Sequence, residues 1–314
     1  MKNLRPSFRN IDPETELNES YDLAAFALGF ESRAIEFSSL PQIAQRKAVA
    51  FGFDHGQQLA YAGNKLRFEA IGATIIENLS DTEFELAFRK SLYSLSKDES
   101  RHIFVDISCF SRFRLASIVR SIFDAASDIK SPLTVDFAYS LASFEKPIAD
   151  RRPNTVVGPA HPAFAGWSQG GYNSTAAVLG LGYEQDQALG VVEFLQAGEV
   201  WAFAPTSPIE AYRPEVDCAN ELLLSEIPKG HVLDYDITAP TSIIASLESV
   251  ARGLNTMHSV VLVPFGPKIF VLCSLLVAAL RSDMAVWRVS QGATIKPHDR
   301  RAGGVSVGLR ASFN

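Results

Sequence analysis

The sequence predicts the α/β class, and three observations predict it. Apolar runs of strand length alternate with segments of helical period through most of the chain, the pattern of a parallel sheet covered by helices. The alternation occurs twice, five candidate strands followed by five more. The two halves also share local sequence, since Leu28-Gly29-Phe30-Glu31 lines up with Leu181-Gly182-Tyr183-Glu184 and Ala50-Phe51 with Ala202-Phe203. A repeat of that length means two copies of one domain, not a solenoid.

In chain order, the first five strands fall near 22–29, 47–53, 74–78, 101–108 and 132–140. The second five fall near 175–182, 199–205, 231–237, 259–265 and 284–290. Helical stretches separate them, from "NKLRFEAIGA", "DTEFELAFRKSLYSL" and "SRFRLASIVRSIFDAA" to "EQDQALGVVEFLQAG", "PEVDCANELLLSEI", "PTSIIASLESVARGL" and "PKIFVLCSLLVAALR". Ser80-Asp81 and Ser111 stand where a side-chain oxygen receives the free N–H groups of a helix start. The result is two tandem Rossmann-like domains, each with a mainly parallel sheet of about five strands flanked by helices. Residues 1–150 form the first, 151–174 a linker rich in Pro, Gly, Asn and Ser, and 175–314 the second. Within the linker, His161, Phe164 and Trp167 predict a packed segment. The closing "QGATIKPHDRRAGGVSVGLRASFN" reads as a basic exposed extension that ends in an edge strand.

Composition bounds the function. A chain of 314 residues with 47% hydrophobic content carries enough apolar material for two cores. A formal net charge of -6 argues against a surface that coats DNA or an anionic membrane by bulk attraction, though a local basic pocket is allowed. Cys109, Cys218 and Cys273 are far apart and form no metal-ligand spacing, so no metal, cofactor or disulfide framework is expected and a reducing cytoplasm fits. The N-terminus lacks the apolar core of a signal peptide. The apolar region 259–282 is broken by Pro264, Gly266, Pro267 and Lys268 into pieces too short to span a bilayer.

Ligands of open parallel sheets bind beyond the carboxyl ends of strands. After the first strand stand Gly29, Glu31, Ser32 and Arg33, a glycine for close approach and side chains suited to phosphate or ribose, without the further glycines of a dinucleotide fingerprint. After the fourth strand stand Asp106, Ser108, Ser111 and Arg112, predicted to converge on one crevice beside Arg33. Buried unpaired, an Asp or Arg costs several kcal/mol, so these groups pair with one another or face a polar ligand. The second copy offers Gly266-Pro267-Lys268 at the matching place. Outside this set, His55 with Asp54 is a candidate acid-base pair, His161 a candidate reaching in from the linker, and Asp234 with Asp236 a weak metal candidate equally explained as a helix cap. Cys109, near a helix start, reads as a passive thiol.

The order Asp106-x-Ser108-x-x-x-Arg112 after the fourth strand resembles the motif of the CARF domains, Rossmann-like sensors of cyclic oligonucleotides in prokaryotic antiviral signalling. The fused SAVED pair is a related possibility. Gly266-Pro267-Lys268 is similar to the Gly-Thr-Lys ending of other members, whereas Leu262 and Pro264 depart from the motif. The resemblance implies that Gly29, Ser32, Arg33, Asp106, Ser108, Ser111, Arg112, Gly266 and Lys268 hold a nucleotide or cyclic oligonucleotide in a cleft between two pseudo-symmetric domains. It further implies signalling through a protein partner or self-assembly. Two other functions fit the same residues: a phosphodiesterase of the ring-nuclease type that cleaves the ligand, and a scaffold with a vestigial cleft.

Overall fold

The computed structural model describes residues 5–17, 20–43, 47–95, 99–128, 131–147, 154–166, 174–281, 283–290 and 297–314. The fold is mixed α/β, with one sheet of seven strands and one of six, each flanked by helices. The chain divides into two compact units, Met1–Ser143 together with Ile295–Asn314, and Phe144–Thr294.

The first unit runs β1 (Ser7–Ile11), β2 (Leu23–Leu28), a 3₁₀ helix (Ser32–Ser39), β3 (Ala48–Phe53), α1 (Tyr61–Ala70), β4 (Thr74–Leu79), α2 (Asp81–Tyr93), β5 (Arg101–Asp106), α3 (Arg112–Asp128) and β6 (Leu133–Ala142). Strands β4, β3, β2, β5 and β6 lie side by side and parallel. Every residue of β2 is buried, which is why it reads as an unbroken apolar run. The pleat sends alternate residues to opposite faces. Ala24, Phe26, Leu28 and Ala50 join Phe37 of the 3₁₀ helix and Phe68 of α1 on one side. Phe51 meets Phe84 and Phe88 of α2 on the other. Two helix starts are capped as the sequence predicts. Ser80 and Glu83 form a reciprocal capping box, and Ser111 Oγ accepts the Arg114 N–H at 3.1 Å.

The second unit runs β7 (Val156–Pro159), a 3₁₀ turn (Pro162–Phe164), β8 (Thr175–Gly180), α4 (Gln187–Leu195), β9 (Glu199–Thr206), α5 (Tyr212–Ala219), α6 (Glu221–Glu226), β10 (Val232–Asp236), α7 (Pro240–Leu254), β11 (Ser259–Pro264), α8 (Lys268–Leu280) and β12 (Ala285–Ser290). Its parallel strands lie in the order β10-β9-β8-β11-β12. Ranked along the chain, the parallel strands of both units therefore stand third, second, first, fourth, fifth. All ten strands expected from the sequence are present. Helix α8 is buried throughout Ile269–Ala278, with α7 alongside.

Two boundaries differ from the sequence reading. The C-terminal residues do not extend from the second half. They form β13 (Ala302–Phe313), an inner strand of the first sheet, antiparallel to β6 on one side and β1 on the other. The reason is chemical: Arg310 sits directly opposite Asp136 of β6, and Leu309 and Ala311 are fully buried. The segment 151–174 is likewise more than a linker, because β7 pairs antiparallel with β12 and Phe164 is buried. Trp167 lies outside the described residues. These antiparallel additions make both sheets mixed.

In the second unit, a Cβ at Gly180 would sit 2.2 Å from Cε1 of Phe270, whose ring packs between Phe203 and Tyr235. Gly180→Ala should destabilise the chain by about 1–3 kcal/mol through overpacking, measured as a shift in denaturant midpoint. A midpoint equal to the parent's would show that the ring yields freely.

Candidate functional site

Beyond the carboxyl ends of β2 and β5 the strand order reverses, and the loops leaving the two strands diverge to opposite faces. The loops meet through one carboxylate. Glu31 Oε2 takes the Arg33 Nε–H at 2.7 Å and the Cys109 thiol at 3.6 Å. Asn64 of α1 fixes the first loop by donating to the carbonyls of Gly29 and Glu31, each at 2.9 Å.

Arg33 is buried, which is the largest single influence and opposes its charge, yet Glu31 together with Cys109 and Tyr139 outweighs burial and raises its pKa. Its Nη1 donates to the Ser140 carbonyl at 2.9 Å. The sequence reading had Arg33 facing a phosphate; the guanidinium instead ties the first loop to β6. Asp106 and Ser108 are buried and similarly engaged. Asp106 Oδ1 accepts the Ser108 N–H at 2.9 Å, and Ser108 Oγ accepts the Ser140 N–H at 2.8 Å. Ser111 is the cap of α3. These four side chains make internal bonds where ligand contacts were expected, because strand ends buried this deeply need their polar groups satisfied from within.

Ser32 is occupied in a different way. Its N–H and hydroxyl donate to the two carboxylate oxygens of Asp299 at 2.6 and 2.5 Å, and the next N–H, of Arg33, reaches the Arg300 carbonyl at 3.2 Å. The chain's own carboxylate thus occupies the helix start where an external phosphate was expected. Gly29 is buried, but a Cβ there would meet only Phe53 at 3.9 Å, so packing does not demand glycine. Arg112, the first residue of α3, is half-buried.

The sequence reading passed over Arg114, a second cation on the same helix start. Fully buried, it donates to the carbonyls of Gly52 at 3.0 Å and Leu79 at 2.5 Å, and pairs with Asp81 at 3.3 Å. The rings of Phe53 and Phe84 flank it at 3.7 and 4.7 Å. Burial lowers its pKa, against the pull of Asp81. The signal was its even spacing from Arg112, which puts the two on different sides of one helix. Asp299 carried no local signal, being 267 residues from Ser32.

In the second unit, Gly266 is required sterically: a Cβ would lie 2.6 Å from the Leu181 carbonyl, so glycine lets the loops after β8 and β11 cross closely. Lys268 begins α8 and is half-buried. The remaining candidates have local partners. His55 Nδ1 lies 2.6 Å from Asp54 Oδ1 on an exposed loop, and that bond lowers the Asp54 pKa. His161 Nδ1 accepts the Ala163 N–H. Asp236 caps Thr238, while Asp234 pairs with Arg213. Cys109, Cys218 and Cys273 are all free thiols. Among the described residues no three His, Cys, Asp or Glu side chains cluster for a metal, and no helix is long and apolar enough to cross a membrane.

No protein-family model matches the chain, and no curated protein does. Among solved structures, similarity is recorded to a functionally unknown protein from Pseudomonas aeruginosa PAO1, at 9% identity and TM-score 0.23, covering 86% of this chain and 92% of that one. A second is the cytoplasmic domain of a prokaryotic cation chloride cotransporter, at 10% identity and TM-score 0.26, covering 88% of this chain and 97% of that one.

Proposed function

We propose that the chain is a ligand-sensing protein made of two Rossmann-like copies, and that its first unit takes a nucleotide-type anion over the ends of β2 and β5. One observation carries this reading. The loops on either side of the strand-order reversal touch through Glu31 and Cys109, and Arg112 opens the helix that follows the second of them. Arg112 is the phosphate contact, aided by the start of α3. Glu31 is the acceptor for a sugar hydroxyl. Arg33, Asp106 and Ser108 shape the crevice without touching the guest, so the ligand-contacting set is smaller than the motif implies. A cyclic oligonucleotide is the guest that the Asp106, Ser108 and Arg112 resemblance implies, met in the cytoplasm and reported to a protein partner.

A thermal-shift screen with linear and cyclic nucleotides tests the reading. A ligand at a hundredfold excess over its Kd adds about 2.7 kcal/mol of stability, which raises the melting temperature visibly. Arg112→Ala should abolish that rise while chromatography of the incubated ligand recovers it intact. A mutant that responds like the parent puts the site elsewhere, and recovered cleavage product replaces the sensor with an enzyme.

A further inference from the structure

The amino end of the first unit's parallel strands holds a guanidinium whose hydrogen-bonding capacity the chain leaves almost unused. Arg101 opens β5 and is only 1% exposed. Among the described residues, neither its Nε nor its Nη1 has a hydrogen-bond partner, and its Nη2 reaches the Ser131 carbonyl only at 3.4 Å. The Ser131 hydroxyl, on the segment leading into the neighbouring strand β6, is buried and unpartnered as well. Register joins the two residues, since the Arg101 N–H donates to the Pro132 carbonyl and Arg101 faces Leu133.

The groups that act on Arg101 electrostatically are committed elsewhere. Asp22 Oδ2 accepts the His102 N–H at 2.8 Å, and the Tyr93 hydroxyl donates to Asp128 at 2.8 Å. Burial accordingly opposes the charge of Arg101 more than these neighbours support it. A guanidinium placed this deeply normally has a carboxylate or carbonyls on every edge, as Arg114 and Arg33 do in the same unit. Nε and Nη1 lie on different edges, so no single acceptor serves both. A compact oxyanion seated on the Nη1–Nη2 edge would bring two oxygens to that edge and give the Ser131 hydroxyl an acceptor, with Nε left to a water.

We propose that Arg101 and Ser131 form a binding site for a small tetrahedral oxyanion at the amino end of β5 and β6. The site lies at the opposite end of the strands from the crevice around Arg112 and does not depend on the ligand reading given there. Its occupant is a compact ion, because a nucleoside would not fit around a side chain covered to this degree.

The probe is inorganic phosphate, titrated against the full chain at constant ionic strength with chloride as the balance, and with AMP as a second arm. The expected result is a saturable rise in melting temperature with phosphate and none with AMP. The rise should persist in Arg112→Ala, which separates it from the nucleotide crevice. It should vanish in Arg101→Met, and its midpoint should move several-fold to higher phosphate in Ser131→Ala, a variant that keeps the charge and the fold. A phosphate effect of equal size in parent and Arg101→Met overturns the site, as does a response to AMP without one to phosphate. A crystal structure grown in phosphate that shows only ordered water on Nη1 overturns it too.

Discussion

Arg310→Ala is expected to destabilise the chain by about 3–5 kcal/mol, the cost of leaving a buried carboxylate without its cation. The carboxylate is that of Asp136, fully buried in β6, and Arg310 grips it with Nε and Nη2, both at 2.6 Å. Tyr21 adds a third donor at 2.7 Å. Truncating Arg310 removes two charge-assisted bonds and leaves Asp136 with the Tyr21 hydroxyl, too little to solvate an anion at that depth. Denaturant unfolding measures the loss. The companion variant makes the test specific: replacing both partners by Leu should recover most of the stability, since two apolar residues facing each other leave no orphaned charge. If Arg310→Ala unfolds at the parent's midpoint, β13 is not held in the sheet by this pair.

The pair also explains which parts of the fold were legible in the sequence. Strands β2, β5, β8 and β11 announce themselves because each is covered on both faces and so reads as an apolar run. Their strand ends could be located for the same reason. Strand β13 read only as an edge strand closing an exposed extension, and its inner place was missed because Gly303, Gly304 and Arg310 interrupt it and its partner lies 174 residues earlier. An aspartate in the middle of "TVDFAYS" and an arginine in the middle of "VGLRASF" were each odd alone; only register makes them one feature. The candidate site shows the same limit. The sequence placed Glu31, Arg33, Asp106, Ser108 and Arg112 at strand ends correctly. It had no means of telling that Arg33 would reach Ser140, or that Asp299 would take the Ser32 donors, because both outcomes depend on contacts distant in the chain.

The contrast between Arg112 and Arg114 yields the second large effect. Arg114→Met should lower stability by about 2–5 kcal/mol, because a buried carbonyl deprived of its side-chain donor costs about 1–3 kcal/mol and a second charge-assisted bond is lost with it. The first is the carbonyl of Gly52 at the end of β3; the second bond is to the carbonyl of Leu79 at the end of β4, which keeps the Asp54 N–H at 3.2 Å. Methionine keeps contact with the rings of Phe53 and Phe84, so the loss reports the polar contacts and not a cavity. Arg112→Ala, half-buried two residues earlier, should change stability by less than Arg114→Met does. About half a helix turn thus separates a residue that ties α3 to the ends of β3 and β4 from the one the proposed reading gives to the phosphate. The two variants should split cleanly: Arg114→Met shifts the denaturant midpoint and keeps any nucleotide response at temperatures where it is folded, whereas Arg112→Ala shifts the midpoint less and loses the response. Were Arg112→Ala the more destabilised of the two, its guanidinium would be part of the scaffold, and the crevice would have no cation left to meet a phosphate.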